Sequence, residues 1–238
     1  MSGLLSPRSF LNNRVTVAAL LPLLSGCVYF SGHTPEGACE TARDSPVRNF
    51  CVVDPGTLWR GENPTTADAK WLLEHGVQSV LSIQLDARPA FERAALRPEA
   101  VRSVSYFRVR GFDPLQMLSR SRDDRVVALF IAIVEQAPKP LYVHCRAGVD
   151  RVGVLVASYR IIVQGVSREE AVAEMARFHS PWQPLETRYL LGLSEARQRE
   201  ILRDAETWKT RLKPFGRFEC QRGRCHFVPD PQGEIARP

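Results

Sequence analysis

The segment from Pro140 to Val163 constrains the fold more than any other part of the chain. The apolar run Pro140-Leu141-Tyr142-Val143 leads into the loop His144-Cys145-Arg146-Ala147-Gly148-Val149-Asp150-Arg151, and a helix-like apolar stretch follows over 152–163. A strand, a tight loop and a helix in this order form an anion site, because the loop N–H groups and the helix N-terminus converge on one point. The sequence therefore predicts an oxyanion site between residues 144 and 152.

Two side chains give this predicted anion site its chemistry. The positive field that attracts an oxyanion also stabilises a thiolate, which favours Cys145 as a nucleophile. Arg151 offers a planar fork that matches two phosphate oxygens. The alternative is a buried structural cysteine with an unrelated surface arginine, but that interpretation does not explain Gly148 and Gly153, which permit an unusual turn and close backbone approach.

The pattern His-Cys-x5-Arg after a buried strand and before a helix resembles the signature of the cysteine-dependent protein-tyrosine and dual-specificity phosphatases. The resemblance extends from about Val52 to Glu200. It implies hydrolysis of phosphomonoesters through a phosphocysteine intermediate, without metal or cofactor. Cys145 would be the nucleophile, the backbone of 146–151 and the Arg151 side chain would hold phosphate, and His144 would support the loop from behind.

The same resemblance implies a general acid, because an alkoxide is a poor leaving group. The family supplies an aspartate on a loop about thirty residues before the cysteine. Asp113 lies 32 positions before Cys145, after a predicted strand. Asp123 and Asp124 compete for the role, although they fall in the first turn of the next helix, where carboxylates are common for electrostatic reasons.

One residue departs from the family pattern. Val152 stands where the family usually has Ser or Thr, whose hydroxyl helps the sulfur leave when the phosphoenzyme is hydrolysed. Valine cannot donate that hydrogen bond. The substitution leaves two interpretations open: a phosphatase with slower turnover, or an interaction module that binds phosphate without turnover.

Two charged residues inside the loop bear on the substrate. Arg146 adds a cation that suits polyanionic ligands such as phosphoinositides, and an Asp-Arg ending at Asp150-Arg151 is similar to bacterial phosphatases with lipid or dual activity. Alternatively, Asp150 orients Arg151 or a neighbouring N–H, and Arg146 faces solvent. A sulfur-transfer enzyme of the rhodanese type is also built on a cysteine loop, but the position of Arg151 and the presence of Asp113 disfavour it.

The N-terminus predicts export. Arg8 and Arg14 precede an apolar stretch, Val15 to Leu24, which is too short to span a bilayer. Leu24-Ser25-Gly26-Cys27 follows and resembles the lipobox of bacterial lipoproteins, which implies lipidation of Cys27. Val28 is not the aspartate that retains such proteins at the inner membrane, so the resemblance implies an outer-membrane anchor facing the periplasm. A plain cleaved signal peptide is the alternative.

Six cysteines are present, and two are assigned to lipid and to catalysis. The other four suggest two disulfides in an oxidising compartment, with three possible connectivities. A zinc site is a weaker alternative, because the last two cysteines are spaced Cys-x4-Cys without a second close pair. The candidates are Cys39, Cys51, Cys220 and Cys225.

Length and composition allow one domain with extensions: a signal peptide at 1–26, a tether at 27–50, a phosphatase domain at 51–212 and a tail at 213–238. The net charge of +6 falls to about +4 once 1–26, with two arginines and no acids, is removed. This is consistent with phosphorylated proteins or small phosphomonoesters as substrates. No basic cluster alternates with aromatic residues, which disfavours nucleic acid as a partner.

Periodicity predicts alternating strands and helices, and hence an α/β fold with a mostly parallel central sheet flanked by helices. We expect strands at 77–83, 104–109 and 140–143. We expect helices at 64–75, with Thr65 or Thr66 near the cap, and at 88–96, 122–136 capped by Ser121, 152–163, 167–178 capped by Ser167, and 185–212.

Overall fold

The structure is a computed structural model that describes residues 44–83, 85–96, 102–110 and 120–233. A seven-stranded sheet with the order β1-β2-β5-β3-β4-β6-β7 runs through it. The four central strands β2, β5, β3 and β4 are parallel, and the outer strands pair antiparallel. The strands are β1 (Cys51–Asp54), β2 (Leu58–Gly61), β3 (Ser79–Ile83), β4 (Arg102–Val109), β5 (Leu141–His144), β6 (Gly216–Gln221) and β7 (Arg224–Pro229).

Seven helices within the described ranges cover the sheet: α1 (Thr66–Glu74), α2 (Arg88–Arg93), α3 (Arg120–Gln136), α4 (Asp150–Ile162), α5 (Arg168–Ala176), α6 (Gln183–Leu191) and α7 (Glu195–Lys209). Two begin at caps that the sequence predicted. Thr65 forms a capping box with Asp68 at the start of α1, and Ser167 accepts a hydrogen bond from the Glu170 N–H at the start of α5.

Successive side chains of the central strands point to opposite faces of the sheet, and a separate hydrophobic core lies on each face. On β5, Leu141 and Val143 face the core that contains α3 and α4, whereas Tyr142 faces the core that contains α1 and α2. Because a strand buried on both faces reads as a continuous apolar run, the pattern at 140–143 indicates a central position in the sheet. The predicted α/β class with a central sheet flanked by helices is confirmed.

Two helix predictions were wrong in detail. The stretch predicted as one helix over 185–212 is two helices, because the chain turns at Gly192-Leu193-Ser194 and Ser194 caps α7 by accepting from the Arg197 N–H. Helix α3 begins at Arg120, so Ser121 lies within its first turn instead of at its cap. In both cases the helical pattern was correct, and local capping chemistry was misplaced.

Both ends of the domain extend further than the sequence suggested. Residues assigned to the C-terminal tail form the β6–β7 hairpin, and β6 pairs antiparallel with β4, so the hairpin belongs to the central sheet. At the other end, Val47, Asn49 and Phe50 are buried although they fall in the predicted tether. No helix among the described residues is long and apolar enough to cross a membrane.

Candidate active site

Cys145 follows the carboxyl end of β5, and α4 begins five residues later at Asp150. Parallel pairing with β2 on one side and β3 on the other holds β5 at the centre of the sheet. The thiol is free and fully buried beside the α4 core. The predicted order of strand, loop and helix is therefore confirmed, and the loop of residues 145–149 is called the phosphate loop below.

The carbonyl groups of the phosphate loop all accept hydrogen bonds from the surrounding scaffold. His144 Nδ1 lies 3.2 Å from the Cys145 carbonyl. Arg60 Nη2 donates to the Gly148 carbonyl and lies 3.5 Å from that of Val149. Two asparagines hold the others: the Asn63 N–H donates to the Arg146 carbonyl at 3.1 Å, and Asn49 Nδ2 donates to the Ala147 carbonyl at 2.8 Å.

Because the carbonyl groups of the phosphate loop point toward the scaffold, they determine the direction of the N–H groups between them. In a trans peptide the C=O and the following N–H point in opposite directions. Five consecutive carbonyls bonded to the scaffold therefore turn the N–H groups of 146–150 toward the concave side. Such an arrangement of N–H groups at a helix N-terminus attracts an oxyanion. The roles predicted for residues 146–151 remain predictions that this backbone geometry supports.

Gly148 is required by the shape of the phosphate loop. Its φ angle is +69°, and a Cβ atom there would lie 2.3 Å from the carbonyl carbon and oxygen of Gly61. Both the left-handed backbone and the contact with the end of β2 therefore exclude a side chain. The sequence indicated an unusual turn at this position, and the structure adds the neighbouring strand as the steric reason.

A Gly148→Ala variant should lose phosphate binding, because the loop must move away from β2 to admit a methyl group. We expect inorganic phosphate to inhibit hydrolysis of an aryl phosphate at least about tenfold less strongly, a change of about 1.4 kcal/mol. Gly165→Ala is the matched control, since Gly165 has a φ of +70° with no atom within 4 Å of its Cβ position. Equal losses in the two variants would show that backbone strain alone accounts for the effect.

His144 is a neutral, structural histidine beneath the loop. A carbonyl only accepts, so Nδ1 carries the proton that it donates to the Cys145 carbonyl, and Nε2 accepts from the Ser82 hydroxyl at 2.6 Å. Complete burial lowers the pKa of His144 to about 4, so the ring is uncharged near neutral pH. This geometry supports the predicted role of His144 in holding the loop from behind.

Arg60 is the charged residue of the scaffold. It is buried, stacks 4.0 Å over the Phe178 ring, and donates to the loop carbonyls from β2. Burial lowers its pKa to about 10, which still leaves it charged at neutral pH. Its bonds to carbonyl oxygens identify Arg60 as a structural arginine.

The first turn of α4 carries Arg151, which completes the family motif, and Val152, which departs from the family pattern. Arg151 is the second residue of the helix and is partly exposed. Val152 is fully buried in the same core as Cys145. The departure from the family pattern therefore places a methyl group where a hydroxyl is usual, in an apolar setting.

The candidate acids differ in position. Asp113 lies outside the described residues. Strand β4, which precedes it, ends at Val109 at the same sheet edge as β5, because both strands are parallel to β3. Asp124 accepts from the Tyr189 hydroxyl at 2.8 Å and from Arg197, so it ties α3 to α6 and α7. Asp123 is buried. The assignment of the acid to Asp113 therefore remains a prediction.

The two charged loop residues, Arg146 and Asp150, lie in different surroundings. Arg146 is exposed and lines a polar cleft of about 660 Å³ beside the phosphate loop. Asp150 is buried, and one of its oxygens accepts from the Ser180 hydroxyl at 2.7 Å. The Asp150 side chain therefore contacts the segment between α5 and α6. The other cleft residues are Pro46, Arg48, Glu62, Asn63, Thr65, Asp68 and Leu85.

The disulfide prediction is partly resolved. Cys220 and Cys225 are bonded to each other across the β6–β7 hairpin. Cys51 is also disulfide-bonded. Cys27 and Cys39 lie outside the described residues. Within the described ranges, no group of three or more His, Cys, Asp or Glu side chains is arranged to hold a metal ion.

Comparisons with known proteins decide the family. A family described as DSP-PTPase phosphatase fused to NAD+ kinase matches residues 52–187, which include the phosphate loop and most of its scaffold. The dual specificity protein phosphatase TpbA of Pseudomonas aeruginosa is 30% identical over 182 residues, 72% of this chain and 74% of that protein. The chain belongs to this phosphatase family. It is a cysteine-based phosphatase.

A more distant relative and a crystal structure of TpbA extend these comparisons. The chloroplastic NAD kinase 2 of Arabidopsis thaliana is 25% identical over 124 residues, which are 50% of this chain and 12% of that protein. A crystal structure of P. aeruginosa TpbA in complex with phosphotyrosine has a TM-score of 0.49 and 24% identity, and covers 70% of this chain and 97% of that one.

Sequence reasoning missed several scaffold residues of this phosphatase. Asn49 and Asn63 hold loop carbonyls, and Ser180 and Glu186 form a buried group with Asp150. Asn49 fell in the predicted tether, and nothing in its local pattern marks it. A buried carboxylate such as Glu186 could have been noticed only as a charged residue on the inner face of α6.

Proposed function

We propose that this phosphatase hydrolyses phosphomonoesters through a phosphocysteine intermediate. Cys145 would attack the phosphorus atom, the P–O bond to the leaving group would break, and the N–H groups of 146–150 together with Arg151 would hold the three remaining oxygens. Water would then cleave the P–S bond and release inorganic phosphate. The observation that carries this proposal is the set of five loop carbonyls bonded outward around a free, buried thiol.

We propose Asp113 as the proton donor to the leaving group and as the base that then activates water. The proposal rests on its spacing of 32 residues from Cys145 and on the common sheet edge of β4 and β5. The engagement of Asp124 with Arg197 and Tyr189 adds support, because it commits one of the two competing carboxyl groups to holding helices together.

We propose phosphotyrosine and phosphoserine or phosphothreonine in proteins as the substrates to test first. The support is the 30% identity to a dual specificity protein phosphatase. Phosphoinositides and small phosphomonoesters form the second candidate class, because Arg48 and Arg146 line the cleft beside the loop and would suit a second phosphate. Turnover of the purified domain on phosphotyrosine peptides, phosphoinositides, inositol phosphates and sugar phosphates separates the two classes.

Val152→Thr tests the phosphocysteine route and the alternative of a non-hydrolysing binding module. If hydrolysis of the intermediate limits turnover, restoring the hydroxyl should raise turnover about tenfold, since that needs only about 1.4 kcal/mol in the second step. Rapid-quench kinetics on an aryl phosphate should show an initial burst in the wild type that shrinks in the variant. No burst in either protein, with equal turnover, would show that Val152 only packs the core.

The same rapid-quench experiment tests Asp113. Asp113→Asn should slow the burst without reducing its amplitude. The first step would lose its proton donor, while Cys145 and the N–H groups of the phosphate loop stay intact. The effect should be larger for an alkyl phosphate than for a p-nitrophenyl ester, whose leaving group needs little protonation. An unchanged burst rate on the alkyl ester would exclude Asp113 as the acid.

We propose that the protein is exported and anchored to the outer membrane through lipid on Cys27, facing the periplasm. The support is the apolar run followed by Leu24-Ser25-Gly26-Cys27. In a bacterial host, a fatty-acid analogue should label the full chain, and Cys27→Ser should abolish the label and leave activity unchanged. Absence of label on the wild type would leave plain secretion as the explanation of the N-terminus.

A further inference from the structure

Asp150 belongs to a buried group that joins the phosphate loop to α6. The Ser180 hydroxyl lies 2.7 Å from Asp150 Oδ1 and 2.9 Å from Glu186 Oε1, and it also accepts from the Trp182 N–H at 3.1 Å. The exposed fractions are 1% for Asp150, 7% for Ser180 and 0% for Glu186. The segment between α5 and α6 is thereby tied to the first residue of α4.

The two short oxygen–oxygen contacts require two protons, and the Ser180 hydroxyl supplies one. A hydroxyl donates once and accepts twice. Since one of its acceptor positions is taken by Trp182, the remaining one must receive a proton from a carboxylic acid. One of the two carboxyl groups is therefore protonated and donates to Ser180, and the Ser180 hydroxyl donates to the other carboxyl group.

The surroundings assign that proton to Glu186. Its second oxygen, Oε2, is buried with no hydrogen-bond partner among the described residues, which would be costly for a carboxylate. Asp150 lies in the first turn of α4, where the helix N-terminus stabilises a negative charge. The chain of bonds then runs from the Glu186 O–H to Ser180, and from the Ser180 O–H to the Asp150 carboxylate.

We propose that Ser180 and Glu186 are positioning residues that fix the first turn of α4, and with it Arg151 and the phosphate loop, and that ionisation of Glu186 weakens phosphate binding. When Glu186 loses its proton, the hydrogen bond to Ser180 is lost and a second negative charge appears beside Asp150. Both changes oppose an anion at the loop. This role deepens the proposed function, since it assumes that the loop binds phosphate.

The charged groups around Glu186 support this assignment. Burial raises the pKa of Glu186 to about 8, with the charge of Asp150 adding to the effect. Arg60 on β2 is the opposing charge, and it lowers that pKa by less than burial raises it. On α5, the carboxyl group of Glu174 faces Arg60 and shares its positive charge. A neutral Glu186 near pH 7 therefore follows from both the proton count and the electrostatics.

Binding of tungstate, an unreactive dianion, tests the proposal without turnover. We expect the affinity of the wild type for tungstate to fall about tenfold between pH 7 and pH 9.5. Glu186→Gln should match the wild type at pH 7 and lose much less at pH 9.5, because the amide still donates to Ser180 and cannot ionise. Ser180→Ala should bind about tenfold more weakly already at pH 7, since the loss of one hydrogen bond to a charged group is of this size.

Glu195→Gln, which removes an exposed carboxyl group on α7, is the matched control and should keep the wild-type pH profile. A Glu186→Gln profile identical to that of the wild type would overturn the inference while leaving the phosphatase proposal intact. Failure of the wild type to bind tungstate at any pH would overturn both. Loss of binding in Glu186→Gln at pH 7 would also contradict the inference, provided that circular dichroism shows a folded protein.

Stability gives an independent measurement. A group whose folded pKa is raised contributes stability below its unfolded pKa, and that contribution is lost as pH rises through the folded value, here about 8. The wild type should therefore lose more stability toward urea between pH 5 and pH 8.5 than Glu186→Gln does. Equal losses in the two proteins would show that Glu186 does not hold a proton in the folded state.

Discussion

A Cys145→Ser variant should keep the fold and lose phosphatase turnover by more than about a thousandfold. A serine hydroxyl is barely ionised near neutral pH and is a much weaker nucleophile than the sulfur of a cysteine. The exchange of sulfur for oxygen is small, and the side chain is already enclosed by the α4 core, so the structure should persist. The measurement is the turnover of an aryl phosphate, with near-ultraviolet circular dichroism as the test of folding.

The cysteines of the β6–β7 hairpin provide the control for this substitution. Replacing both Cys220 and Cys225 by Ser removes the bond between them and should lower stability, but the hairpin pairs with β4, and β3 and β4 separate it from β5 in the sheet. Activity at low temperature should therefore be kept. A Cys145→Ser protein with full activity, or a wild type inactivated by metal chelators alone, would contradict the cysteine mechanism.

An Arg151→Lys variant should lower kcat/KM by about 10²–10³-fold, even though the charge is retained. A guanidinium contacts two phosphate oxygens at once, whereas an ammonium offers a point charge, and loss of one donor at a developing oxyanion costs about this much. Inhibition by inorganic phosphate should weaken in parallel, because the contact forms in the ground state as well. Steady-state kinetics and the inhibition constant measure the two effects.

Arg146→Lys is the matched control, since Arg146 lies in the same loop and is exposed. Its effect on an aryl phosphate should remain within about threefold, as expected for an exposed charge. A larger effect of Arg146→Lys on inositol phosphates than on the aryl phosphate would favour polyanionic substrates. Equal losses for both arginines on the aryl phosphate would contradict the special role given to Arg151.

The local sequence predicted the elements on both sides of the catalytic loop because their signals lie within a few residues of each other. The apolar run at 140–143 indicated a strand buried on both faces, and β5 lies at the centre of the sheet. Thr65 and Ser167 marked helix starts through side chains that reach only three residues ahead. Gly148 signalled a turn that other residues adopt only with strain.

Tertiary structure decided what surrounds that loop. Asn49 and Arg60 contact Ala147 and Gly148 across 98 and 88 residues of sequence, and those contacts depend on the order in which the strands assemble. The same holds for the C-terminal hairpin, whose pairing with β4 no local pattern encodes. Ser180 and Glu186 meet Asp150 only because α6 packs on α4. Their role is therefore inferred from their burial and from the number of protons that their hydrogen bonds require. The sequence by itself determined the chemistry of the loop, because that chemistry is carried by neighbours in the chain. The groups that hold the loop in shape come from distant segments, and only the packed sheet brings them together.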